Sequence, residues 1–226
     1  MTIFIAIQHT YDGIEFALFR GHTMLAHHTL SKFKASSLLL PHLDQTLKEH
    51  NLSLSNLAFF AANYGPGPFT TLRTVIATLN GIAFARNVPL VGVDGLKAFI
   101  EEYQNSPYER TVCILNAFSH DVYYAYHNEQ NTLITGSAPG ELFLRDIAQQ
   151  LAHIKTIQFV GNATANYRTL IQELFEGRAF IPTEIPATCS IQQIGLMGYE
   201  YWQRHEQVTN QLMPRYLKMQ QFTKCS

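Results

Sequence analysis

The residues whose types and spacing could do chemistry gather at one corner of the chain, Asn63-Tyr64-Gly65-Pro66-Gly67-Pro68, followed by Phe69-Thr70-Thr71. A short uncharged apolar run, Ala58 to Ala62, stops there, and the glycines and prolines forbid regular structure through Pro68. Beyond it, apolar residues recur with a period of 3.6 at Leu72, Val75, Ile76, Leu79, Ile82 and Ala83, with Thr70 or Thr71 placed to cap the start. A strand, a glycine turn and a helix N-terminus in that order point free N–H groups at whatever lies above them, which suits an anion such as phosphate. Against this, the run lacks the Lys-Ser/Thr ending of a P-loop, and Pro68 removes one of the amides that would bind. The competing reading is a tight turn that aims the helix.

Other candidate chemistry is sparse. The ten histidines include no H-x-x-x-H or H-E-x-x-H spacing, and His27 and His28 are neighbours on a predicted strand, so they point to opposite faces. No metal site is expected. No G-x-S-x-G occurs, His120-Asp121 reads as turn chemistry, and Tyr123, Tyr124 and Tyr126 read as packing on one strand. Cys113, Cys189 and Cys225 are odd in number without C-x-x-C spacing, which argues against a disulfide framework or zinc knuckle and for a reducing compartment. With a net charge of −1 and no Lys/Arg cluster, the chain is not built to neutralise nucleic-acid phosphates unaided. The first basic residue is Arg20 and no apolar run approaches the length of a membrane span, so a cytoplasmic protein without a signal peptide is expected.

The elements that must position the corner follow from periodicity. Ile3 to Ile7 alternates, Asp12-Gly13 and Gly21-His22 are turns, and strands are predicted over Glu15 to Arg20 and Thr23 to Thr29. Ser36 or Ser37 opens a helix to about Asn51, Leu57 to Ala62 is a strand, Thr70 to Arg86 the long helix, and Pro89 to Val93 another strand. Asp94 caps a helix through Tyr103, and Asn105-Ser106-Pro107 breaks the chain. After it the scheme repeats: strands over Thr111 to Asn116, Val122 to His127 and Thr132 to Thr135, a helix from Glu141 to about Ala152, a strand over Thr156 to Val160, and a helix from Asn166 to Phe175. Ser190 with Gln193 forms a capping box for a helix to about Arg204. Two βββαβα units predict a duplicated α/β fold, as in sugar kinases, actin and the heat-shock ATPases, with lobes 1–104 and 105–226 and a final segment packing back on the first. At 226 residues and 46% hydrophobic, the chain can fill two such cores.

The long helix has a second face. Between Thr74 and Ala85 it carries no charge, and opposite its apolar stripe lie Thr71, Thr74, Thr78, Gly81 and Ala85, small and dry. A helix packed only on its own domain shows charge there. Either another part of the chain covers this face or a partner helix does.

The run Gly65-Pro66-Gly67-Pro68-Phe69-Thr70-Thr71-Leu72-Arg73, then Ala77, Gly81 and Val88-Pro89-Leu90-Val91-Gly92-Val93, resembles the TsaB (YeaZ) family. Leu38-Leu39-Leu40-Pro41, Asp121-Val122-Tyr123-Tyr124-Ala125 and Pro214-Arg215-Tyr216-Leu217 match further landmarks. The resemblance implies the ASKHA (actin-like ATPase, ribonuclease H-like) fold and a bacterial cytoplasmic subunit of the machinery that places threonylcarbamoyl on N6 of the adenosine beside the anticodon in tRNAs reading ANN codons. It implies no catalytic residues and no cofactor on the isolated chain, with ATP and Mg²⁺ held by partners. Those partners are a TsaD-like catalytic subunit and a TsaE-like ATPase, tRNA being met only through the complex; a separate alternative is a self-pairing protein that uses the same helix face for a homodimer when the chain is alone. The implied interface is Leu39, Leu43, Thr71, Arg73, Thr74, Thr78, Gly81 and Ala85, from the two helices that would build a four-helix bundle. Gln8, Thr10, Gly65, Gly67 and Thr70 would form a vestigial cleft loop. Where the family has Asp-Thr-Ser after its first strand this chain has Gln8-His9-Thr10, and Pro68 and Thr71 replace Ser and Gly. In the wider fold that first acid helps hold Mg²⁺, and a neutral amide is a poor ligand for a hard ion. The alternatives are a free-standing nucleotide-dependent enzyme of this fold and a glycoprotease-like hydrolase.

Overall fold

The structure, a computed structural model, describes residues 1–218; Cys225 lies outside the described residues. In chain order the elements are β1 (Ile3–His9), β2 (Gly13–Arg20), β3 (Thr23–Ser31), α1 (Ala35–Glu49), β4 (Phe59–Asn63), α2 (Phe69–Arg86), β5 (Leu90–Val93) and α3 (Gly95–Glu102). They continue with β6 (Arg110–Asn116), β7 (Asp121–His127), β8 (Leu133–Pro139), α4 (Gly140–Gln150), β9 (Ile157–Val160), α5 (Arg168–Phe175), β10 (Ala179–Phe180), α6 (Ile191–Gln203) and β11 (Val208–Thr209). Both copies of the βββαβα scheme are present. The described residues fold as two compact units, 1–103 with 187–214, and 104–186 with 215–218.

The first unit holds a six-stranded sheet in the order β11-β5-β4-β1-β2-β3. β1 runs antiparallel to β2 and parallel to β4, and β4 parallel to β5, because the helical crossover α2 returns the chain in the same direction. Alternation along β1 divides its side chains. Ile5 and Ile7 meet Leu39, Leu43 and Leu47 of α1 and Leu72, Val75, Ile76 and Leu79 of α2, whereas Phe4 stacks on Phe19, Phe59 and Tyr199. Tyr199 belongs to α6, which covers that second face. Gly198 makes the approach close enough, since a Cβ there would sit 2.3 Å from the Cβ of Ala61. This corrects the expected lobe boundary: residues 187–214, read from the sequence as part of the second lobe, complete the first, and β11 pairs with β5, whereas residues 215–218, the final segment expected to pack back on the first lobe, group with the second unit.

The second unit holds a five-stranded sheet, β10-β9-β6-β7-β8. Val112, Ile114, Val122 and Phe159 meet Phe143, Leu144 and Ile147 of α4 and Ile171 and Phe175 of α5. Tyr124 stacks on Phe143 at 4.2 Å and Tyr126 tilts against both rings, so these two tyrosines of β7 pack in the core. β8 is longer than expected because its register with β7 runs to Asp121 opposite Pro139, and the helix then starts directly at Gly140.

Cap chemistry divides. Asp94 accepts from the N–H groups of Leu96 and Lys97, and Ser190 from that of Gln193. Neither Thr70 nor Thr71 caps α2: the helix is entered from Pro68, and the hydroxyl of Thr71 turns back to donate to the Pro68 carbonyl at 3.2 Å. α1 likewise starts from Lys34, with Ser37 donating to its carbonyl, rather than being opened by Ser36 or Ser37.

Candidate docking face and the turn beside it

The turn is assembled from the C-terminal ends of β1 and β4. Asn63, the last residue of β4, accepts the Gly65 N–H at 3.0 Å through its side-chain oxygen and donates to Gln8 Oε1 at 3.2 Å. The Gly65-Pro66 bond is cis. Gln8 is fully buried; its amide nitrogen donates to Glu15 Oε1 at 2.5 Å and to the Cys189 carbonyl at 2.8 Å. Glu15 is in turn 2.9 Å from His27 Nε2. Thr10 closes the β1–β2 turn, its N–H donating to the Gly13 carbonyl and its hydroxyl accepting the Gly13 N–H. Gln8, Gly65 and, through His9, Gly67 meet at this turn, Thr10 follows directly, and Thr70 is exposed at the start of α2.

His9 is the residue the sequence did not single out. It is buried beside Gly67, where a Cβ on the glycine would lie 2.1 Å from the imidazole Cε1, so only glycine leaves room for the ring. Burial lowers its pKa from 6.5 to about 4; the neighbouring Asn63 side chain pulls the other way. Among the described residues neither ring nitrogen has a hydrogen-bond partner. The only sequence signal for this was the glycine itself.

These groups do not fit Mg²⁺. A hard divalent ion needs several free oxygen donors, and at Gln8 the single amide oxygen already accepts from Asn63 while the nitrogen side is committed to Glu15 and Cys189. Among the described residues no three His, Cys, Asp or Glu side chains converge as a metal site. Cys113 and Cys189 are buried, and burial pushes the Cys113 thiol well above its ordinary range, the opposite of what a nucleophile requires.

The candidate docking face is exposed to solvent. On α2, Arg73, Ala77, Gly81, Phe84 and Ala85 are exposed and Thr74 and Thr78 half-buried. Phe84 is 91% exposed, and nothing lies within 4 Å of where a Cβ on Gly81 would be. The Arg73 guanidinium stacks 3.5 Å above the Phe69 ring, which lays its charge over the first turn. Three expected interface residues are elsewhere. Leu39 and Leu43 are 1% and 2% exposed and Thr71 is buried: α1 gives the stripe that carries Leu39, Leu43 and Leu47 to its own sheet. The outward leucine is Leu40, and Phe33 is exposed just before the helix. Ala77, Gly81 and Phe84, spaced i, i+4, i+7, were legible as one helical line.

Sheet orders and crossovers place the chain in the actin-like ATPase (ASKHA) class of fold, here with an internally bonded amide, Gln8, at its first turn. The family described as TsaD, tRNA N6-adenosine threonylcarbamoyltransferase, matches residues 29–222, and the chain belongs to that family. Within it, the chain is similar to the tRNA threonylcarbamoyladenosine biosynthesis protein TsaB of Escherichia coli K12, 26% identical over 134 residues that span 58% of each chain. It is also similar to the TsaB of Haemophilus influenzae Rd, 24% identical over 192 residues, 80% of this chain and 78% of that protein. In fold it resembles a Pseudomonas aeruginosa crystal structure described as an uncharacterized protein with similarity to peptidase YEAZ, with a TM-score of 0.73 and 22% identity, covering 96% of this chain and 100% of that one. Among the described residues no helix is long and apolar enough to cross a membrane.

Proposed function

We propose that this chain is the non-catalytic subunit of a cytoplasmic tRNA threonylcarbamoyladenosine machinery, and that it works by binding and positioning a TsaD-like catalytic subunit through the open face of α2. One observation carries this: an uncharged helix face of small residues around a solvent-exposed Phe84, on a chain whose relatives are named for that biosynthesis. Small residues let a second helix backbone come close, and the phenyl ring supplies an anchor; a protein with no use for this face would show charge there. A TsaE-like ATPase joins the pair, nucleotide and Mg²⁺ are held by the partners, and tRNA is met through the assembly. Alone, the chain uses the same face to pair with itself.

The internally bonded Gln8 and the inert, buried thiols favour this over a free-standing nucleotide-dependent enzyme or a hydrolase. Two measurements test it together. Thr78→Glu puts a charge on the half-buried flank of the face and is expected to abolish co-purification with the TsaD-like subunit while the circular dichroism stays unchanged. Calorimetry of the isolated chain with Mg-ATP is expected to be silent; low-micromolar binding with turnover would overturn the proposal in favour of an enzyme.

A further inference from the structure

The last described residues of the second unit hold a strained turn in place. Phe118, Ser119 and His120, between β6 and β7, are three consecutive non-glycine residues with positive φ, 62°, 53° and 64°. L-residues enter this region singly and seldom, so three in a row persist only where neighbours over-determine them. The neighbours here are named. The Phe118 N–H donates to Asn116 Oδ1 and the Asp121 N–H to the Phe118 carbonyl. The His120 carbonyl accepts from the Tyr167 hydroxyl at 2.8 Å and from the Gly140 N–H at 2.9 Å. On the other side sits Lys218, whose ammonium lies 2.7 Å from Asp121 Oδ2, 3.1 Å from the Phe118 carbonyl and 3.3 Å from that of Ala117. One cation thus fills a cage of three oxygens made by the turn.

Lys218 reaches that cage from a segment outside the sheet. β8 is the terminal strand, and the segment crosses it by side-chain bonds: Arg215 Nη2 donates to Thr135 Oγ1 at 2.8 Å and Ser137 Oγ to the Leu217 carbonyl at 2.9 Å. The turn it clamps is also a wall. Phe118 to Asp121, with Asn116, Ala163, Asn166 and Tyr167, line a pocket of about 460 Å³.

We propose that residues 215–218 are a releasable strap, with Lys218 as the clamp that holds the 118–120 turn left-handed and so sets the mouth of this pocket. Drawing the strap away frees three carbonyl and carboxylate oxygens, the strained residues relax, and the wall opens. The coupling is reciprocal: whatever fills the pocket against the closed wall tightens the strap by the same free energy with which the strap favours that ligand.

Chymotrypsin reads the state of the turn, because Phe118 is exposed and cleavage after it follows the population of the opened form when opening is fast. Lys218→Met keeps the stem and removes the ammonium; the expected result is cleavage after Phe118 about tenfold faster, the size of one lost charged hydrogen bond. Cleavage after Phe33, exposed in the other unit, is expected to stay at the wild-type rate. Asp121→Asn removes the same ion pair from the turn's side and is expected to act in the same direction, and the double variant to be no faster than Lys218→Met alone. Hydrogen exchange at the Asp121 amide, which closes the turn, is expected to accelerate in step. Wild-type cleavage at Phe118 in both single variants would overturn the proposal, and so would equal acceleration at Phe118 and Phe33, which signals general loosening rather than release of a clamp.

Discussion

At residue scale the molecule turns on two neighbours, Gln8 and His9. Gln8 faces Glu15 across the β1–β2 ladder, and its amide donates to both that carboxylate and the Cys189 carbonyl. Gln8→Glu sets a second carboxylate against Glu15 in a buried site, where like charges cannot both ionise cheaply. The expected cost at pH 8 is about 2–4 kcal/mol, and the gap to wild type is expected to narrow toward pH 5 as the pair comes to share a proton; thermal melts of both proteins at the two pH values check it. His9 sets the acid side of stability. Its folded pKa of about 4 lies below the unfolded 6.5, so between these values the unfolded chain binds a proton that the folded chain does not. Stability contributed by the neutral ring is therefore complete above about pH 6.5 and is lost as the pH falls toward 4, by about 3 kcal/mol in all. His9→Phe, which keeps a ring beside Gly67, is expected to flatten that acid slope by one proton in pH-dependent denaturation. The sequence made the missing acid visible at position 8. It could not reveal what the amide does instead, since Glu15, Asn63 and Cys189 come together only through the sheet and the return of the chain at residue 189.

At the scale of elements, α2 shows why one face of a helix could be read and the corresponding residues of α1 could not. The α2 sequence carries two distinct apolar surfaces, and the structure sends Leu72, Val75, Ile76 and Leu79 inward while leaving Ala77, Gly81, Phe84 and Ala85 outward. α1 carries Leu38, Leu39, Leu40, Leu43 and Leu47 around more than one side, and periodicity alone does not say which stripe a sheet will take. Only the packing decides that Leu39 and Leu43 go in and Leu40 stays out. The outward phenyl then gives a graded prediction. Burying a phenylalanine side chain stabilises by about 1.5–3 kcal/mol, so Phe84→Ala is expected to weaken pairing with the TsaD-like subunit by about ten- to a hundredfold. Its melting temperature is expected to match wild type, because the ring is 91% exposed and supports nothing within its own unit. Surface-immobilised titration and a thermal melt on the same preparations check both halves; a destabilised monomer would mean the ring is part of the core.

At the scale of the whole molecule the duplication was legible and the path of the chain was not. Each βββαβα copy announces itself by local periodicity, but the first copy is incomplete: the face of its sheet formed by Phe4, Phe19 and Phe59 is covered by α6, which arrives from beyond the second copy. No local pattern connects Ile191–Gln203 to a strand near the N-terminus, since that contact is fixed by tertiary burial rather than by spacing along the chain. The consequence can be measured, because Trp202 is the one tryptophan and stacks on Phe59 at 4.8 Å, so its fluorescence reports whether α6 is seated. A fragment of residues 1–103 leaves three aromatic rings of the sheet uncovered and is expected to aggregate. The same fragment joined by a flexible linker to residues 187–214 restores every strand and helix of the first unit. It is expected to be monomeric at low concentration, to unfold cooperatively, and to show the tryptophan emission of the intact chain. Emission at the wavelength of a fully hydrated indole from a soluble joined fragment would mean that α6 is held by something other than this aromatic face. Within the same fragment, Gly198→Val pushes a branched side chain into Ala61, and a loss of about 1–3 kcal/mol together with a red shift is the expected signature of α6 lifting from the sheet.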